Sequence, residues 1–570
     1  MKIDKREMTL MLNRYSIVSC LVTFLTASAL AAGPENVITN RYNNSRTGAN
    51  LSETTLTVSN VNSSSFGALF SLTVSGSVYA QPLYVSGVTI PGKGVHNVLY
   101  VCTMEDIIYA FDADSNTGAN ASPLWTLNLT NPPDAVAPTW KQITGSANGN
   151  VNGTVGIMST PVINVAKNAI FVVARTIEKN AFVYRLHSVD IRTGALIKSV
   201  KISATLPGTG VGSVNGEINF DPKMELQRAG LALANNLVVI AWSSQQDFNP
   251  YHGWVMAYSE SSLQQAGAFC TTPDGNRGGI WQSGRAPVVD AEGNVYFLVG
   301  NSGATPEDPN FGVDFGQSAL KFSTTGQLLQ LVDWFTPDDG PTLDVNDTDV
   351  GSSGLTLLPN TDLLVGGGKQ GVFYLLNSAN LGHEQTGNTQ IPQVFTVSRG
   401  HKIKGGPVYW DSSKLGRLVY TWDEKSFLEA FHFNGSTFGT APVLTGTINA
   451  SFGSPGAILA LSANKENPNT GIVWASMPIN ESADSAVVPG ILRALNAETL
   501  EEIWNSQDVP ARDSVGTFGK YVPPLVVNGK VYMATFNNAV VVYGLLPTAA
   551  SISTKTPVAI QIATSATPVF

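Results

Sequence analysis

Hydrophobic and polar positions alternate along the chain in short runs, and the same arrangement returns about every 50 to 80 residues. Each copy has a strand that opens on proline or a small residue, a turn, a second apolar strand, a polar break and a third strand. The clearest copy contains Gln81–Val85, Val98–Val101 and Ile107–Asp112, and it ends at Trp125. Runs of this length and period predict a small sheet that is repeated along the chain.

Eight copies of this pattern can be counted. Their first strands begin at or near Gln81, Thr160, Arg228, Arg285, Ser353, Gly406, Ser454 and Pro523. One such sheet cannot bury both of its faces, so each must pack against the next, and a ring closes the series. The sequence therefore predicts an all-β protein, an eight-bladed β-propeller of four-stranded antiparallel blades. Stacked sheets without closure, or two separate sandwiches, are the alternatives.

Two further features of the pattern concern how the blades join. The segment Leu69–Val74 precedes the first copy, and we expect it to pair with the last strands and close the ring, because closure protects terminal edges. Trp125, Trp334 and Trp504 each follow a turn after a third strand. These flat side chains are predicted to pack one blade against its neighbour.

Composition supports many short strands and limits the partners. Of the 570 residues, 43% are hydrophobic, only 13% are charged and 54 are glycine. The net charge is −9, and no cluster of Lys and Arg is long enough to follow a phosphate backbone. Nucleic acid is therefore not expected as a partner.

The two ends of the chain differ in composition from the repeats. Residues 1–32 have basic positions before the apolar run Ile17–Leu30 and small residues after it, which predicts a cleaved signal peptide, with a membrane anchor as the alternative. No later run is long enough to span a bilayer. We expect an exported protein, whether periplasmic, secreted or on the cell surface, with the propeller in residues 33–546 and a flexible Ser/Thr/Pro-rich tail in 547–570.

Cysteine and histidine form no known metal-binding or redox motif. Cys20 lies in the predicted signal peptide, which leaves Cys102 and Cys270. A disulfide is permitted in an exported protein, but these two residues fall in blades that are not adjacent. They are predicted to be unpaired.

Several stretches resemble a known family. Ala110–Asp114, followed by Thr117, Gly118 and Trp125, resembles the repeat of pyrroloquinoline quinone (PQQ) dehydrogenases, and Arg41–Asn50 resembles the segment that leads into their first blade. More broadly, residues 40–546 are similar to exported bacterial PQQ-like propeller proteins. The stretches that carry this likeness are Val78–Tyr84, Gly279–Gly284, His401–Trp410 and Leu428–Phe433.

The resemblance implies a cofactor or ligand site where the inner strands begin. Residues just before each first strand would then face a shared channel that holds a small molecule or a saccharide. The candidate cofactor-binding residues are Gln81, Arg228, Arg285, Lys369 and Lys404. PQQ carries three carboxylates, and cationic side chains would hold them. The alternative is that these charges are solvated, or fill the channel as mutual salt bridges.

Oxidation of an alcohol or sugar in such a family is base-assisted hydride transfer. Asp349 and His401 are the candidate bases, and Arg285 or Lys404 is the candidate cation that polarises the quinone. The adjacent pair of cysteines found in many PQQ alcohol dehydrogenases is missing, and no matched set of calcium ligands can be placed. The acidic segment 338–349 has enough oxygens for calcium, but it departs from the EF-hand pattern, and a solvated loop is the alternative.

Two functions are consistent with these observations. One is a PQQ-dependent oxidoreductase of alcohols or sugars. The other is a non-catalytic propeller that binds a protein or a polysaccharide at the cell surface. The oligomeric state is left open by the sequence.

Overall fold

The computed structural model describes residues 36–131, 133–147, 149–302, 313–397, 400–450 and 453–547. The predicted signal peptide, and the tail beyond residue 547, lie outside the described residues. Within these ranges every helix is too short or too polar to cross a membrane.

Eight antiparallel sheets of four strands follow one another, and they are named here blades 1 to 8. Blade 1 contains Leu83–Ile90, Gly94–Cys102, Ile107–Asp112 and Trp125–Asn128. Blade 2 contains Val162–Asn164, Ala169–Glu178, Ala181–Asp190 and Leu196–Lys201. Blade 3 contains Ala232–Ala234, Leu237–Ser244, Trp254–Ser259 and Gln265–Cys270. Blade 4 contains Val288–Val289, Val295–Leu298, Ala319–Ser323 and Gln330–Phe335.

The second half of the chain repeats the same arrangement. Blade 5 contains Leu355–Leu357, Leu363–Gly367, Val372–Asn377 and Gln393–Thr396. Blade 6 contains Val408–Ser412, Gly416–Thr421, Phe427–His432 and Leu444–Asn449. Blade 7 contains Ile458–Ser462, Ile472–Pro478, Gly490–Asn496 and Glu502–Asn505. Blade 8 contains Leu525–Val527, Lys530–Ala534, Ala539–Leu545 and, from the start of the chain, Phe66–Thr73.

A few short elements lie outside this scheme. Ala49–Asn50 adds to the first strand of blade 7, Ala135–Val136 to blade 2 and Glu225–Leu226 to blade 3, while Thr205–Pro207 and Glu217–Asn219 form a separate hairpin. The α-helices of the described residues are Trp140–Thr144, Gly340–Val345 and Pro510–Asp513. Each is a connection between blades.

The ring is closed by the first long strand of the chain. Phe66–Thr73 pairs antiparallel with Ala539–Leu545, which confirms the predicted closure. Phe66 is fully buried, and its ring centroid lies 4.9 Å from that of Trp504 in blade 7. One continuous apolar cluster contains side chains of blades 7, 8 and 1. The predicted eight-bladed propeller is therefore confirmed, and the open stack is excluded.

The hydrophobic core lies between blades rather than within them. Six further clusters each join two consecutive blades, from blades 1 and 2 to blades 6 and 7. Trp125 donates its indole N–H to the carbonyl of Ile191 next to blade 2 at 2.9 Å, as its predicted packing role requires. Cys102 and Cys270 are buried and unpaired, as predicted.

First strands of neighbouring blades contact one another from blade 3 to blade 5 and from blade 6 to blade 8, and they lie next to the central axis. Residues 37–53, named here the N-terminal segment, run along this axis. Backbone atoms of the segment bond to the first strands of six blades through Tyr84, Ile163, Val289, Leu357, Tyr409 and Leu461. The Tyr42 hydroxyl adds a seventh, because it accepts from Val526 N–H of blade 8 at 2.8 Å.

Candidate functional site

A cavity of about 560 Å³ opens at the end of the axis where the first strands begin. Every blade contributes to its wall from the residues that precede its first strand. Tyr79, Met158, Arg228, Trp281, Asp349, Lys404, Ser454 and Tyr521 are these residues, in blade order. In six blades the residue stands four positions before the strand, so repetition of the blade brings distant parts of the sequence together.

One side of the cavity is built around the buried carboxylate of Asp349, which is 1% exposed. Lys369 Nζ lies 2.5 Å from Asp349 Oδ1 and 2.7 Å from Asp347 Oδ1. The indole N–H of Trp281 donates to Asp349 Oδ2 at 3.0 Å, and Asn301 donates to Asp347 at 2.9 Å. The ammonium group therefore bridges two carboxylates beside an aromatic ring.

Charge fixes the protonation of this bridge. Burial by itself would lower the pKa of Lys369, but Asp349 and Asp347 outweigh it and raise that pKa above the ordinary value. Burial would also raise the pKa of Asp347, yet Lys369 lowers it. Lys369 therefore stays protonated and Asp347 stays ionised near neutral pH.

The opposite side is a cationic corner formed by Arg228, Lys404 and Lys520 around the ring of Tyr521. The guanidinium carbon of Arg228 lies 5.4 Å from the centroid of Tyr521, and Lys520 Nζ lies 5.5 Å from it. Lys404 pairs with Glu424 at 2.7 Å. Arg228 and Lys520 make no ion pair with any described carboxylate. They donate instead to backbone carbonyls, Arg228 to that of Lys520 at 3.1 Å.

The pKa values of this corner report its excess positive charge. Burial lowers the pKa of Lys520; Tyr521 and Asp484 oppose that shift, and the charges of Lys404 and Arg228 add to it. Burial would raise the pKa of Tyr521, but Lys404 and Lys520 outweigh it and lower that pKa. Burial lowers the pKa of Arg228 to about 10, so it remains charged at neutral pH. An anionic group is the ligand that this corner would stabilise most.

The sequence-predicted residues divide between two depths of the axis. Arg228, Lys369, Lys404 and Asp349 line the cavity together, whereas Gln81, Arg285 and His401 are not among its lining residues. His401 is half-buried, three positions before Lys404.

Gln81 and Arg285 contact the N-terminal segment instead of the cavity. Gln81 Oε1 accepts from the backbone N–H of Arg41 at 3.0 Å, and Arg285 donates to the backbone carbonyl of Arg46. Gln81 stands only two positions before its strand. Two residues of extended chain span about 6.6 Å, so Gln81 faces the same axis at a greater depth.

Two important cavity residues were not predicted. Trp281 lies in the stretch Gly279–Gly284 that carried the family resemblance, but no role was assigned to it. Tyr521 adopts a φ of 65°, a conformation that non-glycine residues rarely take, and no sequence pattern predicts this conformation. The offset of four positions from the first strand, which five other blades share, could have identified Tyr521.

In the acidic segment 338–349, a candidate for calcium binding, the carboxylates accept hydrogen bonds or form ion pairs with donors of the protein itself. Asp347 and Asp349 hold Lys369, and Asp339 accepts from Gln370 at 2.8 Å. Part of the segment is the helix Gly340–Val345, and Asp349 is buried rather than solvated. In the described part of the chain, no group of three or more His, Cys, Asp or Glu side chains is arranged to hold a metal. This donor set does not fit calcium.

Comparison with known proteins places the fold. No family profile and no curated protein matches the chain. The solved quinohemoprotein alcohol dehydrogenase of Comamonas testosteroni superposes with a TM-score of 0.55 at 14% identity, over 91% of this chain and 81% of that one. The quinohemoprotein alcohol dehydrogenase ADHIIG of Pseudomonas putida HK5 gives 0.54 at 16% identity, over 90% and 81%.

Likeness at these identities concerns architecture. The number of blades and their order agree with the repeat found in the sequence, and the closure by an N-terminal strand agrees with the pairing expected from protection of the terminal edges. The chain has the eight-bladed propeller fold of the quinohemoprotein alcohol dehydrogenases.

Proposed function

We propose that the protein is an exported PQQ-type oxidoreductase of alcohols or sugars, with the cavity as its active site. The observation that carries the proposal is the Asp349 carboxylate, buried at the cavity wall between the Lys369 ammonium and the Trp281 N–H. A buried carboxylate held by two donors is a positioned base, which removal of a hydroxyl proton requires. The fold likeness to two quinohemoproteins supports the choice of chemistry.

The residues of the cavity fit the proposed cofactor. Arg228, Lys404 and Lys520 can neutralise the carboxylates of PQQ, and Arg228 and Lys520 have no ion-pair partner among the described residues. Trp281 and Tyr521 add aromatic surface to the cavity wall; their ring centroids are 5.9 Å apart and their planes are inclined at 72°, so one of the two rings could stack on a fused aromatic ring system. When bound there, PQQ would supply the two-electron acceptor.

The side chains of the protein would then divide the remaining work. Asp349 accepts the hydroxyl proton of the substrate, and Trp281 holds the orientation of that carboxylate. Lys369 presents a positive charge beside Asp349, so charge that develops at the cavity wall is stabilised without reorganisation.

A non-catalytic binder is the second candidate, and one observation favours it. The Asp349 carboxylate is already neutralised by Lys369, and the loop donors do not fit calcium. A saccharide could bind in the cavity through the same polar and aromatic groups without being oxidised.

Reconstitution of the full-length protein separates these functions. Purified protein is titrated with PQQ while its absorbance is followed, and dye reduction is then measured with a panel of alcohols and sugars. We expect saturable PQQ binding and substrate-dependent dye reduction, and Arg228→Gln should weaken PQQ binding. Arg185→Gln, a half-exposed pair with Glu178 in blade 2, is the matched control and should bind PQQ normally. Saccharide binding without PQQ binding would establish the second candidate instead.

A further inference from the structure

Three arginines meet on the central axis below the cavity. Arg41 and Arg46 come from the N-terminal segment, and Arg285 precedes blade 4. They are 3%, 0% and 2% exposed, so all three charges are removed from solvent. This arginine cluster is separate from the cavity, because none of its members lines the cavity wall.

The described carboxylates form no ion pair with the cluster. Arg41 donates to the carbonyls of Leu459 and Gly405, and Arg46 donates to that of Pro287 at 2.8 Å. Arg285 donates to the carbonyls of Arg46 and Pro407 and to the hydroxyl of Thr356. The three positive charges are therefore opposed only by dipoles.

Several N–H groups of the cluster have no acceptor. Nη2 of Arg46, and both Nε and Nη1 of Arg285, are buried without a hydrogen-bond partner. Burial lowers the pKa of Arg285, and the like charges of Arg41 and Arg46 lower it further. Burial also lowers the pKa of Arg46 to about 9. Unpaired buried donors and mutual repulsion are both expensive, and both indicate a missing acceptor that carries negative charge.

We propose that the arginine cluster binds a halide-sized anion, chloride in ordinary buffers. A water molecule could accept the unpaired N–H groups, but it would leave the repulsion between the guanidinium groups unchanged. A monovalent anion satisfies the donors and offsets the charge together. This inference does not depend on the proposed oxidoreductase function.

The packing around the cluster restricts the anion to a small one. A Cβ placed on Gly406 would lie 2.1 Å from Arg285 Nη1, and Gly406 has a φ of 67°. Glycine is thus required where the guanidinium passes the backbone. The N-terminal segment runs along the same part of the axis and bonds to seven blades, so the ligand that we propose is a single-atom anion rather than a sulfate or a carboxylate.

Bromide gives a direct test on the unmodified protein. Crystals of the full-length chain are grown with sodium bromide in place of sodium chloride, and anomalous diffraction is recorded at the bromine edge. We expect one enclosed anomalous peak in contact with Arg46 and Arg285. The proposal would be overturned if the data showed bromide on the protein surface but no anomalous peak at the arginine cluster. It would also be overturned if the electron density at the cluster had the size of a water molecule and no anomalous peak.

Chloride dependence of unfolding gives a second test in solution. An anion that binds only the folded state lowers the unfolding equilibrium constant about tenfold for each tenfold rise in its concentration above Kd. At constant ionic strength, with gluconate as the replacement, the Tm should rise with chloride. Arg285→Gln should abolish this rise, whereas Arg185→Gln in blade 2 should retain it. If the Tm of the wild-type protein does not change with chloride concentration, the proposal is contradicted, even if Arg285→Gln fails to fold.

Discussion

The cavity and the N-terminal segment lie on the same axis and are both rich in cations, yet they use them differently. At the cavity, Lys369 and Lys404 contact carboxylates of other side chains, whereas Arg228 and Lys520 donate to backbone carbonyls of loops. Along the N-terminal segment, Arg41 and Arg46 contact backbone carbonyls of several blades. Side-chain partners can change protonation or exchange a ligand, whereas backbone carbonyls are fixed by the strands. The first arrangement suits chemistry, and the second holds the ring together.

This contrast follows from what each part must do. The carbonyls that these arginines contact lie in or just before the first strands of separate blades, and one guanidinium can join two of them, as Arg41 joins those of Gly405 and Leu459. Towards the cavity the chain leaves the strands for loops, where a blade can vary one residue without disturbing its sheet. Mutations should therefore alter activity at the cavity and stability at the N-terminal segment.

Asp349→Asn is expected to give the largest effect. If the PQQ-type assignment is right, loss of the base should lower kcat/KM for dye reduction about 10²- to 10⁴-fold. Lys369 keeps Asp347 as its ion-pair partner, at 2.7 Å, so the fold should survive. Steady-state kinetics on PQQ-loaded protein, with the Tm of the same sample, check both expectations. Full activity in the folded variant would remove Asp349 from the reaction.

Tyr42→Phe tests the other side of the comparison with a smaller effect. The Tyr42 hydroxyl accepts from the buried N–H of Val526, which the variant leaves unpaired. We expect the free energy of unfolding in urea to fall by about 1–3 kcal/mol, with activity per folded molecule unchanged.

Tyr109→Phe is the matched control for this substitution. The Tyr109 hydroxyl accepts a backbone N–H from Ser75 at 3.0 Å, but at an exposed position. Its loss should change stability by less than about 0.5 kcal/mol. Equal losses in the two variants would contradict the special role of the N-terminal segment.

The sequence predicted the ring of blades better than it predicted how far along the central axis each residue lies. The periodic strands predicted the eight blades, because each repeat is a local pattern in the sequence. Trp125 packs between blades and Phe66–Thr73 closes the ring, as expected. Gln81 and Arg285 precede first strands just as Arg228 does, but they meet the N-terminal segment instead of ligand space. Whether a side chain lines the cavity depends on how many positions it stands before the first strand, where a difference of two is enough. It also depends on the N-terminal segment, which is far away in sequence. No local pattern contains that information.

Lys520→Met should weaken the cationic corner without removing it. We expect the affinity for PQQ, measured by calorimetry, to fall about tenfold, the value of one charge-assisted hydrogen bond. The wild-type affinity should also fall as the pH rises from about 7 towards 10. The pKa values of Lys520 and Tyr521 are both lowered, so positive charge is lost and negative charge is gained earlier than in the free side chains. The variant should show a flatter pH profile, and an unchanged profile would place the titrating group elsewhere.

Lys402→Gln at the rim of the cavity should have the smallest effect. Lys402 is 40% exposed and its Nζ lies 3.9 Å from Asp347 Oδ2, so water and salt screen the interaction. Exposed pairs contribute less than about 1 kcal/mol, and we expect PQQ affinity to change less than about fivefold, with no residual difference from wild type at high salt. Lys520 differs from Lys402 in burial and in having no ion-pair partner among the described residues, rather than in chemical type. If calorimetry gave the two lysines equal effects at high salt, burial would not be what distinguishes the cationic corner from the rim.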